Sequence, residues 1–126
     1  MSNERTRLIR ATDRHREAVS TPGMRREEAL RTEHMWAGVA TTAPNTFSGW
    51  HHHAAYESVI HVIRGHVRLE FGAGGRDALE AEPGDTLYVA PGEVHREGNP
   101  GDETSELLVV RGGEGEIVIN VPGPRD

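Results

Sequence analysis

Among its 126 residues the chain has no cysteine, and all 14 of its basic residues are arginine. The first absence excludes disulfides, thiolate metal ligands and cysteine nucleophiles, and the lack of lysine excludes Schiff bases and lysine general bases. Aromatic residues make up only 5%. No apolar run approaches the roughly 18 residues that span a bilayer. The opening MSNERTRLIR is charged from the start and has no apolar stretch that could act as a signal peptide. The expectation is a soluble protein in the cytoplasm with no membrane partner. Positive charge is in deficit too, with 20 acidic residues and a formal net charge of -6. That balance argues against a nucleic-acid partner. What remains for chemistry is a pool of 8 histidines together with carboxylates, hydroxyls and backbone, on a chain long enough for one domain and one core.

Glycine and proline punctuate the chain at short intervals, as at Gly65, Pro83-Gly84, Pro91-Gly92, Pro100-Gly101 and Gly112-Gly113. Short β-rich runs lie between them, the pattern of an all-β sandwich or barrel. The runs alternate: Val67, Leu69 and Phe71 share one face and His66, Arg68 and Glu70 the other. Strands are expected over residues 35–42, 58–64, 67–71, 86–90, 105–111 and 116–121. Residues 1–34 differ in character, with eight Arg against six acids, whereas the remainder has six Arg against fourteen. They read as an arm, with a short strand over 7–11 and a helical turn over 25–31, that either presents a solvated face or lends a strand to a partner subunit. Residues 35–126 form the barrel.

The sharpest feature is Trp50-His51-His52-His53. On an extended strand successive side chains point to opposite faces, so His51 and His53 share a face and His52 takes the other. Two imidazoles so placed can grip one metal ion. His95, following the turn at Pro91-Gly92, brings a third imidazole from a turn beside a neighbouring strand. Such a set leaves other coordination positions open for water or substrate.

These residues resemble the cupins, whose two motifs are a glycine-flanked His-x-His with a following acid and a Gly, Pro-x-Gly, His, Asn series. Gly84, Gly92, His95 and Asn99 stand at the family spacing of the second motif, with Ala90 where the family usually has proline. His51, His53 and Gly65 fit the longer variant of the first, which would place the acid at Ser58; Glu57 fits the shorter spacing instead. A strand bulge that turned Glu57 inward would give three histidines and a carboxylate, and would turn His61 inward as a fourth imidazole or acid/base catalyst. A regular strand would present Ser58. Glu57 is the favoured ligand, as the only nearby acid.

The resemblance implies a single cupin-type jelly-roll β-barrel, one divalent transition metal per chain (Fe, Mn, Ni, Zn or Cu), a small-molecule substrate and a homodimer. Tyr56, Tyr88 and Arg96 flank the motifs, as rim packing or as substrate-binding residues. The expected function is a metal-dependent enzyme on a small organic molecule, foremost a dioxygenase. A sugar or sugar-phosphate isomerase is the alternative, with Arg64, Arg68 and Arg96 as a phosphate clamp and His61 or Glu57 as base. A non-catalytic ligand-binding module is the third reading.

Overall fold

The alternation at Val67, Leu69 and Phe71 falls on an inner strand of one of two sheets. The computed structural model describes residues 5–18, 21–114 and 118–125. One antiparallel sheet runs β1 (His15–Glu17), β2 (Met24–Arg31), β3 (Met35–Thr42), β11 (Ser105–Gly112), β6 (Glu57–Arg64), β9 (Thr86–Val89) in that spatial order. The facing sheet runs β12 (Ile119–Asn120), β5 (His51–His52), β10 (His95–Asn99), β7 (Val67–Phe71), β8 (Asp77–Ala81), with β4 (Thr46–Phe47) also on β10. The fold is all-β, a jelly-roll sandwich whose two sheets do not close into one continuous barrel.

Period-two patterning decides what lies between the sheets. On β11, Ser105, Leu107, Val109 and Arg111 are buried, and on β6, Ser58, Ile60 and Val62 are. Together with Trp36, Leu87 and Val89 from the same sheet and Val67, Leu69 and Ala81 from the other, these apolar groups make the core. Each fully buried Val, Leu or Ile contributes about 1.5–3 kcal/mol. Gly65 ends β6 with φ +76°, and a Cβ there would come within 2.7 Å of the Ser105 Cα, so glycine is required by both conformation and space.

Several expectations change. Residues 25–31 form no helical turn; they lie in β2, laddered along β3 from Met24↔Thr42 to Arg31↔Trp36. Tertiary pairing outweighs the modest helix preference of Arg and Glu. No strand covers residues 7–11; the first is β1, after a 3-10 turn at Ala11–Asp13. Both β1 and β2 are paired within this chain's own sheet. Of the strand expected over 116–121, residues 116 and 117 lie outside the described residues, and β12 covers Ile119–Asn120. His95 sits at the start of a strand and not on a turn.

The alternation on β11 is testable. Leu107→Ala should cost about 2–5 kcal/mol in urea unfolding, as for a buried leucine. Leu108→Ala, whose side chain is 40% exposed on the outer face, should cost under about 1 kcal/mol. Equal losses would refute the assignment of faces.

Candidate metal centre

The register of β5 against β10 pairs His51 directly with His95. His53 follows on the inner face of His51, and a positive φ of 51° at Ala54 turns the chain immediately afterwards. His52 points the other way, its Nδ1 accepting the Ala54 N–H at 3.1 Å. The three inner imidazoles cluster, with ring centroids 4.4 Å apart for His51 and His95, 4.9 Å for His51 and His53, and 5.1 Å for His53 and His95. One nitrogen from each lies within 4.8 Å of the others, and all three residues are buried.

Hydrogen bonds select the tautomers. His51 Nδ1 is 2.9 Å from the Gly49 carbonyl and His95 Nδ1 is 2.8 Å from the Glu93 carbonyl. A carbonyl only accepts, so Nδ1 carries the proton in each neutral ring and Nε2 is left as a lone pair. His51 Nε2 is buried with no hydrogen-bond partner. Leaving a buried polar atom unmatched costs about 1–3 kcal/mol. Burial also holds the His51 pKa below its ordinary 6.5, against the pull of Glu97, which keeps the ring in the form that binds a cation. Oriented lone pairs, backbone carbonyls behind the rings and a neutral protonation state are what a divalent transition metal requires of histidine ligands, so these residues fit the ion.

The carboxylate beside them is Glu97. It stands two residues after His95 on β10, therefore on the same face, is 8% exposed, and places Oε1 4.0 Å from His51 Nε2. Burial alone would oppose its ionisation, but His95 and His51 in their protonated forms, together with Arg26 and Arg111, outweigh it and hold the pKa well below the usual range. Glu97 is not among the ligands expected from the sequence. The period-two rule that paired His51 with His53 also joins His95 to Glu97, and would have found it.

The favoured acid, Glu57, is elsewhere. β6 runs without interruption from Ser58 to Val62, and its register against β11 shifts only where Leu107↔Val62 gives way to Glu106↔Arg64. The extra residue before Gly65 is thus taken up at Ile63, beyond the point where it could rotate Glu57. Ser58 is buried at 3% exposure and Glu57 is exposed beside Tyr88. His61 shares the face of Glu57, with Nδ1 3.0 Å from the Thr86 hydroxyl, so it does not join the imidazole cluster.

Of the flanking residues, Tyr56 is buried, and Tyr88 is 57% exposed on the outer face. Arg96 stacks 4.8 Å over Trp50 and bonds Glu70, which also bonds Arg68. Arg64 is exposed, so the three arginines suggested as a phosphate clamp all lie away from the cluster. The interior instead holds two others. Arg111, 2% exposed, faces in from β11 and lies 4.7 Å over the Trp36 ring. Arg26 lines a cavity of about 580 Å³ together with Glu17, Met24, Arg31, Ser48 and His51. His51 therefore belongs both to the cluster and to the cavity wall.

Comparison with known proteins agrees with this architecture. Solved structures of similar fold include a Klebsiella pneumoniae protein with a double-stranded β-helix domain, 20% identical, TM-score 0.74, covering 93% of this chain and 98% of that one. The polyketide cyclase RemF of Streptomyces resistomycificus is 22% identical with a TM-score of 0.76 over 93% of this chain and 86% of its own. Oxalate decarboxylase of Bacillus subtilis is 20% identical with a TM-score of 0.71 over 83% of this chain and 29% of its own. No curated protein matches the sequence. The family profile described as "Cupin domain" matches residues 38–111, more than half of the chain and the stretch that holds all three clustered histidines, and this protein therefore belongs to the cupin domain family.

Proposed function

We propose that this chain is a metal-dependent enzyme acting on a small organic molecule, with one divalent transition metal held by His51, His53 and His95. The observation that carries the reading is the buried, unpartnered Nε2 of His51 within a cluster of three imidazoles that borders a cavity. Imidazole donors suit iron, manganese, nickel, zinc and copper alike. A bound ion of this kind would supply Lewis acidity toward substrate oxygens and, where redox-active, a site for reaction with dioxygen. The chain's own residues do the rest. The Gly49 and Glu93 carbonyls fix the rings of His51 and His95, Glu97 offers a negative charge beside them, and the cavity admits a ligand on the His51 side.

Oxygenation is the reaction class favoured within this reading, because the cluster is rich in neutral nitrogen donors and the chain has no lysine or cysteine for covalent chemistry. Proton transfer, as in an isomerase, is the second reading, and Glu97 favours it as a buried, ionised carboxylate 4.0 Å from His51 Nε2, placed to accept a proton in passing. Glu57 and His61, the bases first considered, face away from the cluster.

Elemental analysis of purified protein should find about one transition-metal ion per chain, falling at least tenfold in His51→Ala and His95→Ala and unchanged in Glu57→Gln and His61→Ala. Equal content in all five proteins would remove the central claim. Anaerobic loading with Fe(II), followed by oxygen uptake over a panel of small substrates, should show consumption that His95→Ala abolishes. Isomer formation by NMR without oxygen uptake would move the assignment to the second reading, and metal binding without any turnover would make the domain a ligand-binding one.

The pH dependence has a definite sign. Because the folded His51 pKa lies below 6.5, the unfolded chain takes up that proton first, and the metal-free protein loses stability as pH falls below 6.5. Glu97 adds in the same direction at lower pH: its folded pKa lies below 4.5, so its contribution is complete above 4.5 and is lost on further acidification. Thermal melts of metal-free protein should therefore decline steadily on acidification, and His51→Ala should abolish the part that begins near 6.5. A wild-type Tm that rises on acidification would contradict this.

A further inference from the structure

Arginine is the dominant cation of the interior, and its partners there are incomplete. Arg111 is buried, yet its Nε and Nη1 have no hydrogen-bond partner among the described residues. Its guanidinium rests on the Trp36 ring, and the Trp36 indole N–H is in turn bonded to Glu17 and Glu28 at 3.1 and 2.7 Å. Those two carboxylates are thereby engaged, and Glu28 also bonds Arg31 at 2.8 Å. Arg26 is half-buried on the cavity wall, and its side chain makes no hydrogen bond or ion pair among the described residues. The two guanidinium groups belong to one interior region: the charge of Arg26 acts on Arg111, Glu97 and His51, and that of Arg111 acts on Glu97. Burial first, and then the like charge of Arg26, push Arg111 down to about 10, so it stays cationic at neutral pH.

Glu97 and Glu17 act on Arg111 without matching its buried Nε and Nη1, and buried donors of a cation are costly to leave unmatched. Arg26 and Arg31 line the cavity with Glu17 and His51, Arg111 reaches the same region through Trp36, whose indole N–H is bonded to Glu17, and a divalent ion on the histidines would add further positive charge there. Planar guanidinium groups match carboxylates in shape and donor spacing. The desolvation cost of an ion grows with the square of its charge, which favours a monoanionic carboxylate over a phosphate dianion in so enclosed a place.

We propose that the space between the two sheets recognises a small organic acid, whose carboxylate is held by Arg26 and Arg111 while the rest of the molecule reaches the imidazole cluster. The inference deepens the metal-enzyme reading and rests on it for the identity of the reacting end.

The test is calorimetric titration of the protein, with metal content measured in every sample, using malonate and benzoate against malonamide and benzamide, and inorganic phosphate as the dianion. At least one acid should bind tenfold or more tightly than its amide and more tightly than phosphate. In Arg26→Gln, with wild-type metal content, that preference should fall about tenfold to a hundredfold, the range for loss of a charged hydrogen bond. Arg111→Lys, which keeps the charge but not the planar donors, should weaken the acid and leave the amide unchanged, so a folded variant probes the buried position. An acid preference that survives both substitutions reports binding through the metal alone and overturns the inference, as does tighter phosphate binding or no preference at all. If the arginine-dependent preference is present but the protein takes up no transition metal when one is supplied, the carboxylate site stands and it is the metal reading that fails.

Discussion

The pairing of His51 with His95 across β5 and β10 is the constraint on which the site depends. Antiparallel register places the two residues opposite each other, and strand periodicity then puts His53 and Glu97 on the same inner face. A slip of one residue in either strand would send these side chains out of the interior. The backbone carbonyls of Gly49 and Glu93, each two residues before the histidine it binds, fix the rings with their lone pairs directed away from those carbonyls. Ring orientation is thus a consequence of local chain geometry and needs no separate side-chain scaffold.

The interior of this small domain is divided by chemistry. Toward one end, Ile60, Val62, Val67, Leu69, Leu87, Leu107 and Val109 meet as an ordinary apolar core. Toward the other, β6 and β11 continue into Ser58 and Arg111, and β10 brings His95 and Glu97, groups whose burial opposes folding unless each is matched. The apolar half offsets what the polar half costs, which is how a chain of this length can keep ionisable side chains inside at all. Of the five buried atoms left unmatched among the described residues, four (His51 Nε2, Arg111 Nε and Nη1 and Ser58 Oγ) belong to the polar end, and the fifth is Arg14 Nε. A fold that keeps such atoms together where ligands can meet them is organised for binding as well as for stability.

Much of this was legible in order along the chain. The alternation at Val67, Leu69 and Phe71 named its strand, and the spacing of His51, His53 and His95 named the cluster. Legibility failed where one residue changes the meaning of many. The extra residue before Gly65 could lie anywhere between His53 and that glycine, and its position decides whether Glu57 or Ser58 faces inward. Packing put it at Ile63, where the strand is already leaving the core. Residues 25–31 misled for a different reason: a run of Arg and Glu has no marked face by itself, and only the ladder with β3 makes it a strand.

The sequence by itself determined the class of fold, the family resemblance and the three histidines, because strand alternation and turn residues act over a few neighbours and are written locally. Only the tertiary structure decided which carboxylate accompanies them and which arginines share their space. Glu97 and Arg111 come from strands of opposite sheets, 14 positions apart in the chain, and Arg26 comes from a segment that looked like an appendage. No short-range pattern joins such residues; the packing of one sheet against the other does.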